Sequence, residues 1–240
     1  MDSQELKREV ARYRWYHTLE LGDGLVTQGV FDHRPVRDRC MLPRDLSGMR
    51  CLDVGTMDGF WAFEMERRGA AEVVAADVPG IDELDVPPRW HGQADLELGE
   101  TTGERFRLAQ VALGSAVTRI ERSVYELDCD LGTFDLIFCG DLLLHLKDPI
   151  TAVQRLRRVC SGSAIVVDPV ATFRFGRRRP LAEFDGIDGF RWWLLSEASI
   201  ERMLLAAGFE RVELGTRFEL PAHAGGRWRG LRAVMRAHVA

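Results

Sequence analysis

Apolar positions divide the chain into an N-terminal stretch and a regular alternation of short apolar runs with amphipathic segments. Gln4 to Leu19 reads as a helix followed by an aromatic turn, and Gly22-Asp23-Gly24 opens a loop that continues to about Leu46, so residues 1–46 form a cap segment. From Arg50 the pattern changes. Arg50 to Val54 is a short buried strand, Gly59 to Arg68 a helix with one apolar face, and Glu72 to Ala76 a second apolar run. Strand, helix, strand in that order predicts a right-handed parallel crossover. Beyond a proline-rich loop (Val78 to Trp90), Glu104 to Leu113 reads as helix and Val117 to Arg122 as strand. Phe134 to Cys139 is the next strand, Pro149 to Val159 the next helix and Ala164 to Asp168 the next strand. This alternation predicts a doubly wound, Rossmann-like α/β sheet over residues 47–240, with the N-terminal helical cap attached to it. The stretch Pro169 to Arg191 breaks the alternation and reads as a loop or lid. Ser196 is the expected N-cap of a helix ending near Ala207, with Gly208 stopping it. Phe209 to Leu214 and Leu231 to Val239 are the expected closing strands, antiparallel.

Composition narrows the class. Of the 240 residues, 46% are hydrophobic and 29% charged, which suits a soluble globular protein. No stretch approaches the roughly 18 apolar residues of a membrane span. The polar start, Met1 to Lys7, argues for the cytoplasm. Cys40, Cys51, Cys129, Cys139 and Cys160 include no C-x-x-C pair, so neither disulfides nor a structural zinc are expected. No His/Asp/Glu spacing compels another metal site. With 37 acidic against 32 basic side chains, the formal charge of −5 removes the simple argument for polyanion binding. Of the basic residues only Lys7 and Lys147 are lysine.

The candidate chemistry starts where the first strand ends. Cys51-Leu52-Asp53-Val54-Gly55-Thr56-Met57-Asp58-Gly59 runs straight into a helix, and a glycine turn there lets a ligand approach the backbone and face helix N–H groups. Met57 stands where a dinucleotide fingerprint places its second glycine, which weakens a reading as an NAD or FAD site. Asp77 follows the second strand, 24 residues after Asp53, and a carboxylate there can accept both hydroxyls of a ribose. D-x-G-x-x-x-G plus this acid resembles the class I S-adenosylmethionine-dependent methyltransferases. A glycine turn that binds nothing is the bland alternative.

Further segments sharpen the resemblance: Trp15-Tyr16-His17, Asp45-Leu46-Ser47-Gly48, Arg67-Arg68-Gly69-Ala70, Leu142-Leu143-Leu144-His145-Leu146-Lys147-Asp148-Pro149 and Ala206-Ala207-Gly208-Phe209. Together with the glycine turn through Phe60 and Trp61 they look like the branch containing the wobble-uridine tRNA methyl- and carboxymethyltransferases and smaller bacterial relatives, over about Tyr13 to Val212. The resemblance implies cofactor contacts from Asp53, Gly55, Thr56, Met57, Gly59 and Phe60 in the turn and from Asp77 and Val78 after the second strand. It implies further contacts from Ser123, Val124 and Tyr125 after the third strand, with Val124 against the adenine, and from Gly140 after the fourth. The carboxymethyltransferases have a tyrosine where Leu144 stands and a lysine shortly before the glycine motif, whereas no lysine lies here between Lys7 and Lys147. Ordinary S-adenosylmethionine is therefore the expected cofactor.

Methyl transfer is an in-line displacement, so alignment in a dry site supplies much of the catalysis, and an aliphatic hydroxyl acceptor also needs a base. His145, just past the fourth strand, is the first candidate for that base, against a role as helix-cap or core histidine. Asp141 at the same edge is a second proton acceptor or a metal or substrate contact, against a solvated loop or N-cap aspartate. His17 beside Trp15 and Tyr16 is a third, against an apolar anchor for the cap. Tyr16 and Trp192-Trp193 are candidate walls of the acceptor pocket. Arg174 and Arg177 to Arg179 are a candidate clamp for an acidic group, against a solvated basic loop. The expected function is O-methylation of a small-molecule or sugar-containing metabolite by a monomer or homodimer that needs neither nucleic acid nor membrane. The alternatives are a tRNA wobble-uridine methyltransferase and a non-catalytic cofactor-binding regulator.

Overall fold

In the computed structural model, which describes residues 3–91, 103–172, 178–187, 189–220 and 230–240, the chain opens with α1 (Ser3–Arg12) and two short strands, β1 (Trp15–His17) and β2 (Gly29–Phe31), paired in parallel. The helix expected at the start of Gln4 to Leu19 ends at Arg12, and the aromatic turn expected after it is a strand. The reason is tertiary: Trp15 is buried with its indole N–H on the Val10 carbonyl, and the Tyr16 and His17 N–H groups both donate to Asp58. Gly29 permits the pairing, because a Cβ there would lie 2.1 Å from the His17 carbonyl carbon.

The sheet follows as β3 (Arg50–Val54), α2 (Phe60–Arg67), β4 (Glu72–Asp77), α3 (Gly103–Leu113), β5 (Thr118–Glu121), β6 (Phe134–Gly140), α4 (Pro149–Val159) and β7 (Cys160–Pro169). The hairpin strands β8 (Ala182–Phe184) and β9 (Trp193–Leu195) precede α5 (Glu197–Ala206), and β10 (Arg211–Leu214), β11 (Phe218–Leu220) and β12 (Gly230–His238) close the chain. The order is β10-β12-β7-β6-β3-β4-β5, with β3 to β7 parallel, β12 antiparallel to both its neighbours and β11 paired to β12.

Alternate residues of the strands feed two cores, as the two-residue period of a strand requires. Cys51, Ala75, Leu136 and Phe138 pack under α2, α3 and the N-terminal segment, while Leu52, Ala76, Ile137 and Cys139 pack under α4 and α5. Central strands buried on both faces read as near-continuous apolar runs, which is why β6 and β7 stood out in the sequence. The chain steps from β3 outward to β5 and then returns to β6 on the other side of β3. A crevice opens at that switch, beyond the carboxyl ends of the strands.

Candidate active site

A cavity of about 480 Å³ occupies this crevice. Asp53, Gly55 and Met57 line it from the end of β3, Asp77 and Val78 from β4, Ser123 and Val124 from beyond β5, and Gly140, Asp141 and His145 from beyond β6. The N-terminal segment closes one side with Tyr16, His17, Phe31 and His33.

The floor is held by carboxylates. Asp77 is buried and accepts the N–H groups of Met57 at 2.6 Å and Val78 at 2.8 Å. Burial outweighs those bonds and pushes its pKa up to about 6. A carboxylate offers about four lone-pair sites, so two remain for a ligand's hydroxyls. Burial also lifts Asp53 to about 7, against hydrogen bonds from the Thr56 hydroxyl and the Ala62 N–H. Asp168 at the end of β7 accepts the Leu142 and Leu143 N–H groups and so shapes the turn that carries His145.

His145 has a defined tautomer. Its Nδ1 faces the Phe190 carbonyl, which can only accept, so Nδ1 bears the proton and Nε2 keeps its lone pair. Desolvation lowers its pKa below the usual histidine value, leaving a neutral imidazole at the cavity wall. Asp141 is neither a solvated loop residue nor a base. Its side chain is 9% exposed and pairs with Arg232 Nε at 2.8 Å, and the Arg232 charge holds its carboxyl at about 2. His17 lines the cavity but is held neutral by burial, with Nδ1 enclosed and unpartnered.

Several expected contacts do not reach the cavity. Thr56 is spent on Asp53, and Gly59 N-caps α2 at φ +94°, where a Cβ would lie 2.5 Å from the Phe63 ring. Phe60 packs between the His33 and Trp61 rings. Tyr125 turns its hydroxyl to Asp85, Trp192 gives its indole N–H to the Asp85 carbonyl, and Trp193 gives its own to the Lys147 carbonyl. Arg174 and Arg177 lie outside the described residues; Arg178 and Arg179 are exposed and do not line the cavity.

The displaced aromatics form a clasp around Asp85. Its carboxylate accepts the Tyr125 hydroxyl at 2.7 Å and the Lys147 N–H at 2.7 Å, with Lys147 Nζ at 3.3 Å, tying together the loops after β4, β5 and β6. Asp85→Ala should cost roughly 0.5–1.5 kcal/mol of stability and speed amide exchange around Lys147, because a half-buried hydroxyl and an exposed N–H lose their acceptor. Exchange unchanged from wild type would remove the clasp.

Reasoning from the sequence missed Asp58, His33 and Arg232. An arginine inside the apolar run Leu231-Arg232-Ala233-Val234-Met235 was a signal, since a charge facing inward from a closing strand needs a partner. His33 had none, because it sits in an aperiodic loop. Among the described residues no three His, Cys, Asp or Glu side chains converge as metal ligands.

Residues 33–214 match the family model described as "Methyltransferase domain". The chain belongs to this family. It is 29% identical over 171 residues to the tRNA U34 carboxymethyltransferase of Ectopseudomonas mendocina (strain ymp), covering 70% of this chain and 47% of that protein. It is 32% identical over 123 residues to the ubiquinone biosynthesis O-methyltransferase of Alkalilimnicola ehrlichii, covering 51% of this chain and 41% of the relative. The chain thus spans less than half the length of these curated relatives. The N-terminal domain of EvdMO1, crystallised in the presence of SAH and D-fucose, superposes with TM-score 0.69 at 17% identity, covering 100% of this chain and 98% of that one. Magnesium protoporphyrin IX methyltransferase of Synechocystis PCC 6803 with bound SAM superposes with TM-score 0.52 at 16% identity, over 81% and 72% of the two chains. These structures share the class I, Rossmann-like methyltransferase fold.

The cofactor of the family is S-adenosylmethionine, and the residues present fit it. Asp77 has acceptor capacity for ribose hydroxyls, Gly55 and Met57 border the turn, and Val124 offers an apolar wall. Asp77→Ala should weaken binding of S-adenosylhomocysteine by roughly 1.5–3 kcal/mol, since bonds to a charged acceptor are lost. The ligand's hydroxyls need the ionised carboxylate, so wild-type affinity should fall as the pH drops through about 6, where Asp77 takes up its proton. Calorimetry at two pH values on the wild type and on folded Asp77→Ala checks both; affinity unchanged by the substitution would remove the assignment.

Proposed function

We propose that the protein transfers the methyl group of S-adenosylmethionine to an oxygen of a small, hydroxyl-bearing metabolite. The observation that carries this is one cavity in which the glycine turn and Asp77 stand together with a neutral histidine whose Nε2 is unprotonated and without a protein partner among the described residues. The sulfonium supplies an activated methyl group. The chain's own residues must bind the acceptor, exclude water and receive the hydroxyl proton. Tyr16, His17, Phe31 and His33 wall the cavity, and His145 Nε2 is placed to take the proton.

The D-fucose named with one structural neighbour and the O-methyltransferase names among the relatives support an oxygen acceptor of small size. The reading places the enzyme in the cytoplasm, where its free thiols stay reduced. The name of the tRNA U34 relative keeps tRNA as a second acceptor class. The test incubates purified protein with labelled S-adenosylmethionine and either neutral sugars and phenols or tRNA. Transfer to a small acceptor without nucleic acid is expected. Transfer only to tRNA, with the steep salt dependence of phosphate binding, would overturn the reading.

A further inference from the structure

Beyond the cofactor turn and His145, the cavity contains a second polar constellation for which catalysis supplies no role. Arg232 enters from near the start of β12, 2% exposed, and its Nε donates to both oxygens of Asp141, at 2.8 and 3.1 Å. Its Nη1 donates to the Gly230 carbonyl at 3.0 Å. Asp141 holds a φ of +50°, a conformation costly for a residue with a side chain, so the surrounding contacts fix it there. On the far side of the carboxylate lies His33 Nε2, 3.8 Å from Oδ2. That is longer than an ordinary hydrogen bond, and an oxygen lying beside the pair on its cavity side, off the line joining them, reaches both.

The nitrogen that His33 offers the cavity follows from its surroundings. The ring is 4% exposed, packed edge-on against His17, Phe31 and Trp61, and its Nδ1 is enclosed without a partner. Burying a bare Nδ1 and directing an Nε2 proton toward the Asp141 carboxylate is the arrangement that satisfies the donor. The pair therefore presents to the cavity an N–H donor and, beside it, a carboxylate acceptor. A hydroxyl accepts and donates at a single atom and can satisfy both. A carboxylate or phosphate cannot donate to Asp141, and an ammonium cannot accept from His33.

Charge bookkeeping around the cavity agrees. Each of the arginines lining it is already matched: Arg232 by Asp141, Arg191 by Asp185 at 2.5 Å and Arg122 by Asp130 at 2.6 Å. Among the described residues no surplus cation remains there for an anionic acceptor, and Asp141 has no surplus charge for a cationic one.

The geometry points to a hydroxyl-reading subsite formed by His33 and Asp141, with Arg232 as its positioning residue, so that the acceptor is a neutral molecule carrying at least two hydroxyl groups. One hydroxyl lies on the cavity side of the His33 Nε2–Asp141 Oδ2 pair, within reach of both. The other faces His145 Nε2 across the same cavity. This rests on the proposed small-molecule reading and deepens it, because the subsite selects the acceptor while His145 serves the reaction.

The test uses protein saturated with S-adenosylhomocysteine and carrying ¹⁵N-histidine, titrated with neutral polyols (D-fucose, methyl glucosides, myo-inositol) and with matched anions such as glucuronate. At least one neutral polyol should shift the His33 imidazole resonances, identified by their loss in His33→Gln. That variant should bind the polyol at least tenfold more weakly while S-adenosylhomocysteine affinity stays within about twofold. Asp141→Asn should do the same, and Arg232→Lys should weaken the polyol less than either. No His33 shift with any neutral polyol, tighter binding of the anion, or full polyol affinity in folded His33→Gln would each overturn the subsite. The two readings fail separately. Polyol binding at His33 without methyl transfer to any small acceptor sinks the proposed reaction and keeps the subsite. Transfer to a small acceptor that is indifferent to His33→Gln does the reverse.

Discussion

Asp58→Ala should destabilise the protein by roughly 3–5 kcal/mol, because it takes from the buried Arg105 guanidinium the carboxylate it pairs with. Asp58 is 0% exposed and Arg105, from α3, 1%; they meet at 2.8 Å. Burial raises the Asp58 carboxyl above its usual range even with Arg105 beside it, so the pair is a modest net contributor when intact. Its importance lies in what breaks with it. The same carboxylate accepts the Tyr16 and His17 N–H groups, so it fastens the N-terminal wall of the cavity to the glycine turn. Urea unfolding with an unchanged slope measures the loss. Asp58→Leu combined with Arg105→Met should recover much of the stability, since no charge is then left uncompensated. A single-variant loss below about 1 kcal/mol would show that Arg105 finds another partner or water.

His145→Ala should lower kcat by roughly 10²–10⁴-fold while S-adenosylhomocysteine affinity stays nearly intact, as expected of a group acting in the transition state. The structure supplies a sharper variant. His145→Asn retains a donor near Nδ1 for the Phe190 carbonyl and deletes Nε2, so it separates proton transfer from the tethering of residues 189–192. The activity of the wild type should fall on the acid side with an apparent pKa below the usual 6.5 of histidine, because burial disfavours the imidazolium and the protonated ring cannot accept. His145→Asn with normal kcat at saturating acceptor would exclude the base. Alanine defective in both kcat and cofactor binding, with asparagine normal in both, would make His145 a structural tether.

Much of the scaffold was legible because the strands that build it are buried on both faces. Val73 to Ala76, Leu136 to Cys139 and Ala164 to Val167 are continuous apolar runs whose helices show their own spacing and caps, such as Asp148 before Pro149 and Ser196 before α5. The short strands β1, β2, β8, β9 and β11 were not legible. Three residues carry too little periodicity, and these strands exist because distant groups complete their hydrogen bonds, as Asp58 does for Tyr16 and His17.

The same division separates the two halves of the site. The sequence by itself determined the cofactor half, because the glycine turn and Asp77 are placed by local strand and turn geometry at fixed distances along the chain. Only the tertiary structure decided the acceptor half. His33 comes from the N-terminal loop, Asp141 from the end of β6 and Arg232 from β12, and no spacing relates residues separated by 108 and 91 positions. The packing of that loop and the reversal of β12 beside β7 bring them to one wall. There, too, Asp141 takes its role: Arg232 beside it turns a candidate base into a fixed carboxylate.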